Sequence, residues 1–432
     1  MNFRSVKAGQ AESEVDRKNG ILIKSAGKPQ AQILAYRAVN RCIPGKAILV
    51  GLLNSLHMRI LRVAQEMYPD VLGGGAYHTH ALSRDQAQQG HDVRVVSISN
   101  ARKKPEIERF NGYTLRRYRP IASPFGMDIS LSLGRELRQT TEYDIIHAHS
   151  HVYYATNLAA VVGSVTDTPL AITCHGLHSH SIPHWLSRVH LRSVGKLTYD
   201  QADVVFCYTQ AERSKLRDIG VEADVEVVSN GIDVTQFSPD GPEYEEIADT
   251  DGPAILFVGR LASGKRPEDA IAVVDRLRST FPDVRLFICG DGPRRADLET
   301  KINELGLQEN VRFLGTISYD TIPSVYRAAD AFMLPSLAEG FPRTVLESLA
   351  CETPTVATAL DQTESLLKQA GYAVPRGDVE QFASGLRALL TDTSERRGLG
   401  RRGREIVERE YDWSDTVERT TARLESLSDN DS

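Results

Sequence analysis

From Met58 onward, short β-branched runs alternate with longer stretches of helical period, and few folds accept that alternation. A strand followed by a helix returns to the sheet parallel to its predecessor, because only a long crossover carries the chain back to the starting edge. The candidate strands are Asp92–Ser99, Asp144–Ala148, Leu170–Cys174, Asp203–Tyr208 and Val225–Ser229, after a first one at Met58–Ala64. Ser238–Pro253, rich in Asp, Glu, Gly and Pro, interrupts the pattern and reads as a solvated linker. The alternation then restarts with Ala254–Val258, Val284–Cys289, Val311–Leu314, Ala331–Leu334 and Thr355–Ala357. Pro267–Ser279 opens with proline and sets Ile271, Val274 and Leu277 on one helical face. The expected architecture is α/β: two doubly wound parallel-sheet domains, 58–237 and 254–412, facing across a cleft. Trp413–Leu427 is helical in pattern and stands outside the second alternation.

Residues 1–57 do not join this pattern. Met1–Lys28 is polar and without period, and Ala47–Leu53 lacks an apolar partner. We expect an accessory or disordered extension, one that could lie upstream of a functional start at Met58; an extra strand or helix packed on the core is the alternative. Acids outnumber bases 57 to 51, so a chain-wide role in binding polyanions such as nucleic acid is not expected, while a local basic patch stays open. Neither Ala47–Leu53 nor Leu158–Val165 approaches the ~18 apolar residues that span a bilayer. No charged start, apolar middle and small-residue cleavage site marks a secretory leader. Five scattered cysteines without a CxxC pair argue for a reducing compartment, so the expected location is cytoplasmic, with peripheral contact to the inner membrane face as an option.

In doubly wound sheets, ligands bind beyond the carboxyl ends of the strands, so strand-to-helix turns are where chemistry is sought. The most informative turn runs from Leu334 to Glu347. It carries Glu339 in the loop, reaches a helix expected to begin near Pro342, and places Glu347 inside that helix. A helix start offers free N–H groups and a positive dipole end, hence an anion site. Two carboxylates beside an anion site suit a ligand that is both anionic and polyhydroxylated; the bland reading makes Glu339 a helix cap and Glu347 a solvated residue. Arg260 and Lys265 form a second constellation after Ala254–Val258, two cations able to neutralise a diphosphate. The spacing there is not that of a Walker A loop, because Arg266 follows Gly264-Lys265. Cys289–Arg294 lacks the third glycine of a dinucleotide fingerprint and reads equally well as a plain tight turn. Gly73, Gly74 and Gly75 precede a helical run and permit close backbone approach to a ligand.

All twelve histidines fall at or before His190. His147, His149 and His151 alternate and on an extended segment would share one face, while His175, His178, His180 and His184 follow another strand end. A metal-dependent hydrolase built on His147/His149/His151 and His175/His178/His180 is therefore the rival reading, although no acid completes a mixed ligand set. The blander reading is that these histidines line a cleft, with His175 best placed. Asp249-Thr250-Asp251 follows no strand and reads as solvated linker. Arg102, Lys103, Lys104, Arg109, Arg116, Arg117 and Arg119, interleaved with Tyr113 and Tyr118, read as a solvated loop in preference to a patch for an anionic membrane or a phosphorylated acceptor.

The ordered set of motifs resembles the retaining glycosyltransferases of family 4, with the two-domain GT-B fold of Rossmann-like halves. It comprises the glycine loop with Gly90-His91-Asp92-Val93, then Asp144 through His149, Thr173-Cys174-His175-Gly176, and Val228 through Asp233 with Phe237 and Pro239. It continues with Phe257 through Leu261 plus Lys265, then Gly290 through Pro293, Phe313-Leu314-Gly315 and the Glu339/Glu347 pair. Tyr411-Asp412-Trp413 resembles the opening of the family's helix that crosses back to the first domain, here 413–428. The resemblance implies transfer of a hexosyl group from a nucleotide-diphosphate sugar to a glycan, lipid-linked or small-molecule acceptor, with no metal strictly required. It implies that Arg260 and Lys265 hold the diphosphate, Glu347 the ribose, and Glu339 with the Gly340–Phe341 backbone the donor sugar. It further implies His175 near the reacting centre, Gly74–Gly75 against the phosphates or acceptor, and the base near Gly315–Ile317. Many members have glycine where this chain has Pro342, which lacks an N–H, so a sugar contact from that amide is unavailable. A nucleotide-sugar-binding protein without turnover is the remaining alternative.

Overall fold

The computed structural model describes residues 13–16, 21–24, 57–100, 104–124, 127–138, 142–177 and 184–429. Met1–Leu56 and His57–Ser432 form separate units. In the first, Ser13–Asp16 pairs antiparallel with Ile21–Lys24; the rest of the expectation for residues 1–57 lies outside the described residues, His57 apart.

The second unit holds two sheets. The first contains β1 (Arg59–Val63), β2 (Asp92–Ile98), β3 (Ile107–Phe110), β4 (Tyr113–Tyr118), β5 (Ile145–His149), β6 (Leu170–Thr173), β7 (Val204–Cys207) and β8 (Asp224–Val227). Their order is β8-β7-β6-β5-β1-β2-β4-β3, parallel throughout except for β3. The second sheet contains β9 (Ala254–Val258), β10 (Arg285–Cys289), β11 (Val311–Gly315), β12 (Ala331–Leu334), β13 (Thr355–Thr358) and β14 (Gly371–Val374), in the order β11-β10-β9-β12-β13-β14 and all parallel. Both are doubly wound, as the alternation requires. β5, β6, β7 and β12 are buried along their whole length. That burial is why β7 and β12 read as unbroken apolar runs and β6 nearly so, since parallel sheets are covered on both faces; β5 carries His147 and His149 as well. Apolar clusters lie on each side of both sheets.

The segment read as a basic solvated loop is instead the β3–β4 hairpin at the edge of the first sheet. Three of its charges are paired: Arg117 and Lys104 meet Asp70, and Arg116 meets Glu136. Ser238–Pro253 is not wholly solvated either, because Ile247, on the short helix Glu245–Ala248, is buried in the second core.

Four helices frame the site: α1 (Gly74–Gln89), α2 (Pro267–Leu277), α3 (Arg343–Ala350) and α4 (Trp413–Ser428). The chain enters α4 through hydrogen bonds between Ile232 and Tyr411 and between Trp413 and Ile232. α4 then lies along the first sheet's elements: Trp413 Nε1 donates to Asp85, Gln86 donates to Thr421, and Leu424 joins the core under β1 and β2.

Candidate functional site

The turns after β1, β5, β6, β9 and β12 converge: Gly75 and His149 meet His175, Gly340 meets the His175 backbone, and Lys265 meets Glu339. β1 and β9 are also where strand order reverses in each sheet, the position at which doubly wound sheets leave a crevice.

In the second half, Lys265 closes a short 3-10 turn, Ser263–Lys265, and Arg266 follows in the left-handed region (φ 53°), held by its ion pair with Asp269. Lys265 Nζ lies 2.5 Å from Glu339 Oε1. The two loops are also joined by Leu337 N–H donating to the Gly264 carbonyl. Glu339 therefore does not cap α3, whose N-cap has no side-chain hydrogen bond. Arg260 is exposed and forms no ion pair among the described residues; its charge is felt by Tyr153 of the first half. The glycine turn after β10 shapes this loop. A Cβ on Gly290 would fall 2.0 Å from the Gly259 carbonyl oxygen, and one on Gly292 2.5 Å from that of Leu261.

Pro342 is extended (ψ 104°) and occupies the N-cap, so α3 starts one residue later than the sequence suggests. The hydroxyl of Thr344, at its second position, has no partner among the described residues. Glu347 is buried, not solvated: Oε2 accepts from Tyr326 (2.9 Å) and Oε1 from Tyr319 (3.2 Å). Burial raises its pKa above the usual carboxylate range, opposed chiefly by Arg343 and then by the two tyrosines and Lys265. Gly315 (φ 68°) accepts from Gly290 N–H, and space is open where its Cβ would be, while Ile317 packs half-buried on the core. Phe341 is anchored by its ring on Tyr411 and by its carbonyl, which accepts from Asn230.

Across the cleft stands His175. Its Nδ1 is 2.6 Å from the Tyr208 hydroxyl and its Nε2 2.9 Å from His149 Nδ1, so both ring nitrogens are engaged. Burial lowers its pKa to about 4, with the Arg343 charge acting the same way, so the ring is neutral at pH 7. The first half's backbone comes as near as glycine allows. A Cβ on Gly340 would sit 2.2 Å from the His175 carbonyl oxygen; one on Gly75 would touch His175, and one on Gly74 would touch Arg343. The structure thus gathers Gly74, Gly75, His175, Lys265, Glu339, Gly340 and Glu347 around one gap.

His147 and His149 lie with ring centroids 4.5 Å apart, but Ser150 (φ 66°) turns the chain and sends His151 to Tyr199 instead. The three do not share a face. His147 also contacts the buried Arg62 guanidinium at 3.3 Å, a poor neighbour for a cation. Among the described residues no three His, Cys, Asp or Glu side chains are grouped to hold a metal, and His178 and His180 lie outside them.

The residues that sequence reasoning passed over are Arg343, Tyr319, Tyr77 and Asn230. Tyr77 of α1 packs against Tyr319, the rings tilted by 30° with centroids 3.6 Å apart, joining the halves. Arg343 carried a signal: a cation at the first position of a helix opposes the dipole and needs another reason to be there.

Comparison with known proteins fits this geometry. Residues 72–236 match the family described as Glycosyltransferase Family 4, and residues 244–406 match Glycosyl transferases group 1. The chain belongs to the family-4 glycosyltransferases of GT-B fold. An uncharacterised glycosyltransferase of Methanocaldococcus jannaschii is 27% identical over 84% of this chain and 97% of its own length. The glycogen synthase of Mycobacterium tuberculosis is 28% identical over 85% and 94%. Among solved structures, sucrose-phosphate synthase from Thermosynechococcus elongatus superposes with a TM-score of 0.71 at 21% identity, covering 85% of this chain and 99% of that one. Anabaena HepE, in complex with UDP and glucose, gives 0.72 at 20% identity, covering 86% and 100%. No helix of this glycosyltransferase is long and apolar enough, among the described residues, to cross a membrane.

Proposed function

We propose that this glycosyltransferase moves a hexosyl group, with retention of anomeric configuration, from a nucleotide-diphosphate sugar to a glycan, lipid-linked or small-molecule acceptor. The observation that carries the reading is the Lys265–Glu339 pair set against Gly340 and His175 at the mouth of the cleft. Lys265 and Arg260 supply positive charge for a diphosphate, as do the free amides at the start of α3. Glu339 accepts from sugar hydroxyls, Glu347 from the ribose, and the open space at Gly315 takes the base. The HepE relative, complexed with UDP and glucose, supports a uridine nucleotide as the first donor to try.

In the reaction, the acceptor hydroxyl oxygen bonds to the anomeric carbon on the face that the diphosphate leaves. The carbon–oxygen bond electrons pass to the departing phosphate, which also takes the hydroxyl proton. Preorganised cations stabilise the charge that develops on the leaving group, an effect worth several kcal/mol in such sites. Neutral His175, held by Tyr208 and His149, borders the reacting centre without adding charge. Because protein cations meet the diphosphate, transfer should survive metal chelation. Stoichiometric bound zinc with hydrolysis that chelation abolishes would favour the hydrolase alternative, and donor binding without turnover the non-catalytic one. The deciding experiment is proton NMR of product formed from UDP- and GDP-hexoses: the donor's anomeric configuration is expected in the product, and an inverted anomer contradicts the mechanism.

The cysteine usage supports a cytoplasmic site of action, and a surface helix offers a means of peripheral membrane contact. The continuous helix from 184 to 200 exposes Trp185, Val189, Val194 and Leu197 beside Arg188 and Arg192. An aromatic and apolar stripe flanked by arginines suits the headgroup region of an anionic bilayer, where a lipid-linked acceptor would be presented. The paired charges of β3–β4 suit it less.

A further inference from the structure

Arg343 is 6% exposed at the first position of α3, where the helix dipole disfavours a cation. A buried charge persists only when its surroundings compensate it. The compensation here comes from segments far apart in sequence. Nη1 donates to Asn230 Oδ1 (3.1 Å) and the Gly231 carbonyl (2.9 Å), and Nη2 donates to the Tyr319 hydroxyl (2.9 Å). The guanidinium carbon lies 5.6 Å from the ring centroids of both Tyr77 and Trp413. Its Nε–H has no hydrogen-bond partner among the described residues and stands 3.9 Å from Glu347 Oε1. The Tyr319 hydroxyl accepts from Arg343 and donates to that same carboxylate oxygen.

We infer that Arg343 is the positioning residue for Glu347: it attracts the carboxylate as a charge 3.9 Å away, holds it by hydrogen bonds through Tyr319, and ties it to the 230–231 turn between the halves. The inference rests on the reading that Glu347 accepts from the donor's ribose hydroxyls. A carboxylate that must accept two hydroxyls has to be ionised and held in one orientation. The groups facing Glu347 are Arg343, Tyr319, Tyr326, Lys265 and the Cys351 thiol, and of these Arg343 acts most strongly to keep the charged form against burial. Without it, the buried carboxyl holds its proton more tightly and presents a donor where an acceptor is needed. Tyr77 and Trp413 extend the link to α1 and α4, so the ribose site is complete only when both halves are in contact.

The test is calorimetric titration with UDP and with 2′,3′-dideoxy-UDP, or the corresponding GDP or ADP pair if one of those binds more tightly. Hydrogen bonds to a charged group contribute about 1.5–3 kcal/mol each, so with both hydroxyls removed the wild type should prefer the full ribose by about 100-fold or more. Glu347→Gln should bring that ratio to within about threefold of unity. Arg343→Met should do the same, and Arg343→Met with Glu347→Gln should lower it no further. Arg343→Lys and Tyr319→Phe, milder changes that keep the test open if Arg343→Met does not fold, should give intermediate ratios. A ratio kept at the wild-type value in the Arg343 and Tyr319 variants, while Glu347→Gln abolishes it, overturns the inference and leaves the donor reading intact. Equal weakening of both nucleotides by Arg343→Met also overturns it, as the mark of a purely structural role. A ratio unmoved by Glu347→Gln overturns the ribose reading itself, and the inference falls with it.

Discussion

Lys265 Nζ lies 2.5 Å from Glu339 Oε1, with the lysine side chain 26% exposed and the glutamate 9%. The two residues are read as serving different parts of one donor, phosphate and sugar, yet in the free protein each neutralises the other. A diphosphate must therefore compete with Glu339 for the ammonium. Glu339→Gln removes the competitor and is expected to tighten UDP binding about threefold or more while cutting transfer by about 100-fold, the scale of losing one well-aimed polar group in a closed site. Lys265→Ala should weaken UDP and transfer together. Calorimetry and initial rates on both variants check the pair, and UDP binding weakened by Glu339→Gln would contradict the competition.

Gly340 meets the His175 carbonyl so closely that a Cβ would fall 2.2 Å away. Gly340→Ala cannot keep this contact, so the halves must stand further apart and the site admits water. Transfer should fall by about 100-fold or more. Each half keeps its own sheet and core, so the thermal midpoint should drop by only a few degrees. A variant with near-normal turnover would mean that the contact is not needed for transfer.

Stability should fall steeply below neutral pH. Burial holds His175 at about 4 and pushes His78, His147 and His149 well below their ordinary 6.5. Between the folded and unfolded values the unfolded chain binds more protons, so these groups contribute stability that is present above about pH 6.5 and lost as pH falls. Each pH unit in that window is worth about 1.4 kcal/mol per group. Glu212, raised to about 7, and Glu347, also raised, act in the opposite sense: their contribution is present below 4.5 and lost as pH rises through the folded value. Four histidines outweigh two glutamates. The denaturant midpoint should drop between pH 7 and pH 5; a midpoint that rises over that range would contradict the assignment of neutral buried rings.

If the stripe on 184–200 meets a bilayer, the enzyme should sediment with phosphatidylglycerol vesicles and much less with phosphatidylcholine. Trp185→Ala and Arg192→Glu should each reduce the bound fraction severalfold without changing UDP affinity. Equal recovery of wild type and variants would remove the surface from the account.

The central strands were legible because burial on both faces leaves continuous apolar runs such as Ala331–Leu334. The β3–β4 hairpin was not, because Arg109 on the edge strand β3 and Arg116 and Arg117 on β4 masked its alternation. Its turn was nonetheless written in the sequence: Asn111-Gly112, both at positive φ (48° and 96°), is a strong hairpin signal. β14 is short and starts with glycine, leaving little pattern to read. Within the site, Glu339 and Glu347 could be found from one contiguous segment at a strand end. Tyr319 and Tyr77 could not, and Arg343 and Asn230 offered only a cation at a helix start and a place in the Val228–Asp233 motif, because the meaning of all four lies in a convergence of segments far apart in the chain. His151 misled because one residue, Ser150, leaves the extended backbone on which the shared face depended.

The account turns on the cleft receiving a nucleoside diphosphate between Arg260, Lys265 and the start of α3. Titration of UDP, GDP and ADP into the wild type and Lys265→Ala measures that directly. One nucleotide should bind at a single site per chain, and its affinity should fall at least tenfold in the variant. No binding of any of the three, or binding that ignores the loss of Lys265, would contradict it.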